Sequence, residues 1–188
     1  MSENGFAVSP TENGSAVSPT GIDGGNLASH ERALRKAIDL AYAQIDRREL
    51  TVAEVRSQLE RRGVSEDHVD AAVQTLIEQR LLDDERFAQL FVADKRELEW
   101  WGSERIRRGL TARGIDRELA ERALAARDGT EDDGHEGELT RALELLRRRF
   151  PDPPHERRDR DRALGVLLRK GYEQELAIDA LNAHAREE

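Results

Sequence analysis

The pattern that most constrains this chain is short and occurs three times. Leu59, Gly63, Val64 and Val73 return as Leu110, Gly114, Ile115 and Leu124, and again as Leu167, Gly171, Tyr172 and Leu181. In each copy a leucine stands four residues before a glycine. An apolar residue follows the glycine directly, and another stands ten residues after it. A base precedes every glycine: Arg62, Arg113 and Lys170. The glycines are 51 and 57 residues apart, so one small unit recurs through the part of the chain that carries a burial pattern. Units of that size bury too little surface to stand alone, and stacking on neighbours is the usual remedy.

The units read as helices. Leu34, Ile38, Ala41 and Ile45 share one helical face, and so do Val69, Ala72, Val73, Leu76 and Ile77. Phe87, Leu90, Phe91 and Leu98 make a third stripe, and Leu139, Ala142, Leu143, Leu146 and Phe150 a fourth. No segment alternates with period two for long enough to predict a strand. Thr51-x-x-Glu54 is a capping box, and Ser65, Asp83 or Asp84, Ser103 and Asp116 stand at N-cap positions. Pro153 or Pro154 can open a later helix, where a missing N–H costs nothing. The repeated glycine fits a left-handed position just past the middle helix of each unit.

The fold expected is therefore all-α: three tandem three-helix repeats forming an elongated array. Helices are predicted at about 31–46, 52–62, 66–80, 84–98, 103–113, 117–127, 138–150, 154–170 and 173–185. The repeats span 30–82, 83–127 and 138–188. Residues 128–137 read as an acidic linker. Residues 1–29, rich in Gly, Ser, Pro and Asn and carrying Ala-Val-Ser-Pro-Thr at both 7–11 and 16–20, are expected to be a disordered tail.

Composition excludes some chemistry. The absence of cysteine rules out disulfides and thiolate metal sites. The apolar runs are too short to span a bilayer. Residues 1–29 contain no base and no apolar core of the signal-peptide kind, so a cytoplasmic protein is the expectation. The net charge of −9 opposes unspecific binding to nucleic acid. That charge is uneven, however. Residues 128–138 hold six acids and no base, whereas 141–170 hold ten bases and five acids. An acidic total can hide a basic face.

Between 81 and 115 the sequence becomes specific. Leu82-Asp83-Asp84-Glu85-Arg86-Phe87-Ala88 leads to Phe91-Val92 and Arg96, then to Gly102, Arg105-Ile106, Leu110 and Arg113-Gly114-Ile115. This stretch resembles the RecX family, the regulators of the RecA recombinase, and the likeness extends over 51–80 and more loosely over 138–185. Trp100-Trp101, Ser103, the acidic stretch and the long N-terminal tail depart from the family pattern. The resemblance implies a modular helical protein that lies along the RecA–DNA filament as a negative modulator. It would limit ATP hydrolysis, strand exchange and filament growth in recombination and DNA repair, acting as a monomer without enzymatic activity, cofactor or metal.

The residues suggest how such a partner would be held. With Ile106 and Leu110 facing inward, Arg105 and Arg108 fall on the far side of the helix. In the third repeat Arg158, Arg162 and Arg169 share one outward face, and Arg105 and Arg162 both stand nine residues before their glycines, where the first repeat has Glu54. Arg147 and Arg148, from the Arg147-Arg148-Arg149 run, extend this stripe. A guanidinium row suits phosphates or acidic side chains. The alternative is a solvated arginine-rich surface. The bases before the glycines suit the carbonyl ends of their helices. Asp83-Asp84-Glu85 suits the start of a helix better than a metal. Trp100 and Trp101 suit packing between helices, with base stacking the alternative. A direct single-stranded DNA-binding helical module is the second functional reading, and a metal-dependent hydrolase using Asp83 and Asp84 the third. The five histidines show no ligand spacing.

Overall fold

The computed structural model describes residues 24–126 and 133–187. Among them are nine helices and no strand: α1 Gly24–Ile45, α2 Val52–Arg61, α3 Glu66–Glu78, α4 Asp84–Glu97, α5 Ser103–Thr111, α6 Arg117–Ala126, α7 Asp133–Arg149, α8 Arg157–Lys170 and α9 Gln174–His184. The fold is a tandem array of three-helix units. In every unit the first and second helices pack on the third; they also pack on each other in units one and two, whereas α7 and α8 meet chiefly through α9.

The triplicated pattern is a local hydrogen-bonding device. The N–H of Val64 donates to Leu59 O, and that of Gly63 to Glu60 O. Ile115 and Gly114 repeat this with Leu110 and Thr111, and Tyr172 and Gly171 with Leu167 and Leu168. All three are Schellman ends, with the glycine left-handed at φ 76°, 82° and 89°. The leucine and the apolar residue after the glycine join the same core, which fixes the exit angle of the chain. Leu59, Leu110 and Leu167 are fully buried, each in a separate cluster completed by Val73, Leu124 or Leu181. Truncating any of these leucines to alanine should cost about 2–5 kcal/mol.

Several expected starts differ in the structure. Helix α1 opens at Gly24, so 24–29 are helical and only 1–23 of the expected tail lie outside the described residues. Extending an existing helix adds one bond per residue, so α1 runs on past its packed face; Leu27 is already exposed. Helix α7 opens at Asp133, which makes 133–137 helix rather than linker, while 128–132 lie outside the described residues. Acids in a first turn favour that outcome. Helix α8 begins at Arg157, past both prolines, with Glu156 as an N-cap that makes no side-chain bond. Thr51 and Glu54 form the expected capping box, and the Asp83 carboxylate accepts from Arg86 N at 2.9 Å. Asp116 accepts from Leu119 N at 2.9 Å. Ser103 is not a cap: Gly102 takes that position.

The units join through their middle helices. The N-terminus of α2 rests on the glycine end of α5: Thr51 Oγ1 donates to Arg113 O at 2.6 Å, and Arg113 pairs with Glu54 at 3.2 Å. The N-terminus of α5 rests on the glycine end of α8: Gly102 N donates to Lys170 O at 2.9 Å. An acid from the following unit completes each joint. Asp84 Oδ1 accepts from Val52 N at 2.9 Å, and Glu138 accepts from Ser103 N at 2.7 Å and Ser103 Oγ at 2.8 Å. Each contact sets the positive end of one helix dipole on the negative end of the next. Close approach at these joints demands glycine. A Cβ on Gly114 would sit 2.2 Å from Ala53 Cβ, and one on Gly171 would sit 2.3 Å from Arg105 Cβ.

Candidate recognition groove at the second seam

Joining units two and three leaves a groove of about 590 Å³ beside the α5–α8 contact. Five cations line it, namely Arg105, Arg148, Arg149, Arg169 and Lys170, and no acid does. Its apolar floor comes from Trp100, Leu98, Leu145 and Val166. Leu98 is 75% exposed, an unusual degree for a leucine inside a folded unit.

The two adjacent tryptophans divide between cores, and only Trp100 lines the groove. Trp101 packs against the second core and Trp100 against the third, and Trp100 turns there through a left-handed backbone at φ 57°. The Arg105 guanidinium lies 4.1 Å from the Trp101 ring centre, and that of Arg148 lies 6.0 Å from Trp100. Arg105 also donates from NH1 to Arg169 O at 2.8 Å, so it closes the seam as well as charging the groove. Lys170 donates from Nζ to Glu99 O at 2.5 Å. The Glu99 carboxyl, just outside, is held below its ordinary range chiefly by a hydrogen bond from Lys95, with Lys170 and Arg105 adding to the pull.

The structure sorts the seven sequence-predicted arginines. Arg105, Arg148 and Arg169 converge on the groove. Arg158 and Arg162 stand exposed on α8, in helical register with Arg169, and carry the positive surface away from it. Gly165 lies on that face too, leaving room for the Arg169 guanidinium: a Cβ there would be 3.0 Å from NH1. Arg108 folds back on Glu104, 3.7 Å from its carboxylate. Arg147 turns the other way into a two-pronged pair with Glu187, whose carboxyl is held down to about 2 chiefly by that hydrogen bond. Arg149, not Arg147, lines the groove beside Arg148. Its register with Leu145 is the signal, since both lie on the α7 face that turns to α8.

The acidic run Asp83-Asp84-Glu85 is occupied by backbone. Asp83 caps its own helix and Asp84 caps α2, where burial, the largest influence, raises its carboxyl above the usual range. Among the described residues no cluster of three metal-ligating side chains occurs. None of their helices is long and apolar enough to cross a membrane.

Fold and groove define an all-helical repeat protein with a cationic groove at a unit boundary. The RecX second three-helix domain matches residues 83–124, and the RecX first three-helix domain matches 37–76. Regulatory protein RecX of Mycolicibacterium vanbaalenii is 32% identical over 145 residues, covering 73% of this chain and 76% of that protein. The Chromohalobacter salexigens protein of the same description is 32% identical over 149 residues, covering 79% and 92%. The crystal structure of RecX from Lactobacillus salivarius shares the fold with a TM-score of 0.66 at 23% identity, covering 82% of this chain and 97% of that one. The chain belongs to the RecX family of regulatory proteins.

Proposed function

We propose that this chain is a negative modulator of the RecA recombinase, lying on the RecA–DNA filament and limiting its ATPase, strand exchange and growth. The observation that carries the reading is the acid-free cationic groove between units two and three, in a chain whose total charge is −9. Glu99 just outside offsets Arg105 and Lys170 only in part, and the excess positive charge of five bases suits an anionic surface. A row of linked units engages several weak contacts at once, and avidity then multiplies them.

The test is charge reversal at Arg148, Arg149 and Arg162, which bear on no seam hydrogen bond. Three contacts of about 0.5–1 kcal/mol each predict a rise of roughly 10–100-fold in the concentration that half-inhibits RecA ATPase. An unchanged value in a folded triple variant removes the groove from the mechanism. Direct binding of single-stranded DNA is the second reading, favoured by Trp100 beneath Arg148. Its mark is DNA affinity without recombinase that falls steeply with salt.

A further inference from the structure

The seams have a direction, and one socket is left open. Each seam uses three parts of the downstream unit. A first-helix acid accepts from the first N–H of the upstream middle helix: Asp84 from Val52, Glu138 from Ser103. The carbonyl of the base before the glycine accepts from the upstream N-cap residue: Arg113 O from Thr51, Lys170 O from Gly102. The bare glycine then admits the opening turn of the upstream helix.

The first unit carries the same glycine end and base, and none of the described residues is seated on them. Gly63 makes the same Schellman bonds, yet a Cβ there would find nothing within 4 Å. The carbonyl of Arg62 accepts no hydrogen bond among the described residues, unlike those of Arg113 and Lys170. The closing acid is the part that differs: Asp84 and Glu138 each stand four residues before a buried alanine, Ala88 or Ala142, and the residue four before the buried Ala37 of α1 is Ala33. Left-handed backbone alone accounts for a glycine at 63. What it does not account for is an unfilled acceptor and a base at a bare glycine end, arranged as in two filled sockets.

We infer that the Arg62–Gly63 end of α2 is a docking socket for the N-terminus of a helix belonging to a partner protein. The first seam supplies the template, because its base is also an arginine. The incoming helix carries a hydroxyl or glycine N-cap, a small residue in its second position as Ala53 is, and an acid in its third, as Glu54 is, to pair with Arg62. A second copy of this chain is a poor occupant. Among the described residues the middle helix whose N-terminus no unit covers is α8; it has Asp159 in its third position, but its N-cap is Glu156 and its second position holds Arg158, neither a hydroxyl or glycine nor a small residue.

The probe is a synthetic peptide of residues 49–62 of this chain, cross-linked on its outer face to hold it helical. It is titrated into the isotope-labelled full chain. Saturable amide shifts are expected at Arg62, Gly63 and Val64. Gly63→Asn keeps a residue that tolerates left-handed backbone and fills the socket, so affinity should drop by about tenfold. Arg62→Glu, exposed and outside every core, should lower it comparably and carries the test should Gly63→Asn unfold. A peptide with Ala53→Leu should bind about tenfold more weakly. Shifts that map elsewhere, equal binding by both variants, or no saturable binding at millimolar peptide would overturn the socket. Self-association of the chain that Gly63→Asn abolishes would overturn the partner in favour of a second copy.

Discussion

At the first seam the notch beside the joint holds about 610 Å³, and at the second about 590 Å³. Size does not separate them; charge does. The first notch mixes three acids, Asp46, Glu49 and Asp83, with Arg80 and Arg86, and Arg86 lies 3.5 Å from Glu49. The second contains five bases and no acid. The joints beneath are built on one plan, with a helix N-terminus on a glycine end and an acid from the next unit closing it. The array therefore repeats its architecture while changing what each boundary offers to a partner. The cavity with the more apolar mouth is not the one with the more pointed chemistry, because charges that satisfy each other inside a notch leave little for a ligand.

The comparison breaks first on the glycines. Gly171→Ala and Gly114→Ala combine left-handed strain with a clash across the seam, and each should cost about 2–5 kcal/mol. Gly63→Ala carries the strain alone, about 1–2 kcal/mol. Denaturant midpoints decide, and equal losses at all three would mean that the seams do not distinguish them. Next is the charge contrast. Reversing Glu49 and Arg86 together should leave RecA ATPase inhibition within about twofold of wild type, since exposed paired charges contribute little. A loss as large as that of the groove triple would move the contact to the first notch.

The closing acids sharpen the contrast further. Glu138→Ala removes two hydrogen bonds and should cost about 1–3 kcal/mol. Asp84→Ala removes one bond from a carboxylate already disfavoured by burial and should cost less, by chemical denaturation of both. Smallest is the Arg147–Glu187 pair. Glu187 has its folded pKa lowered to about 2 from an ordinary 4.5. What the pair contributes is thus complete above pH 4.5 and lost as pH falls toward 2. An NMR titration should find the Glu187 midpoint near 2, and Arg147→Ala should return it toward 4.5.

Much of this was legible in the chain. The Schellman ends link residues five apart, so Leu59, Gly63 and Val64 announce their geometry without reference to anything distant. The helical stripes and the Thr51–Glu54 box are local in the same sense. The placing of Arg158, Arg162 and Arg169 on an exposed face of α8 was legible too, because an outward face follows from an inward one. Arg147 and Arg149 were not told apart, because the partner that turns Arg147 away is Glu187, 40 residues on. Asp83 or Asp84 reads from the sequence as the cap of α4; Asp83 is that cap, and the Asp84 carboxylate reaches instead to α2 of the preceding unit.

By itself, then, the sequence determined the helices, their glycine ends and the count of units, since each depends on contacts within a few residues along the backbone. Only the tertiary structure decided which arginines meet, which acid silences which base, and which glycine end stands uncovered. Those outcomes depend on how the end of one unit seats on the next, and stacking brings together groups that no spacing along the chain relates.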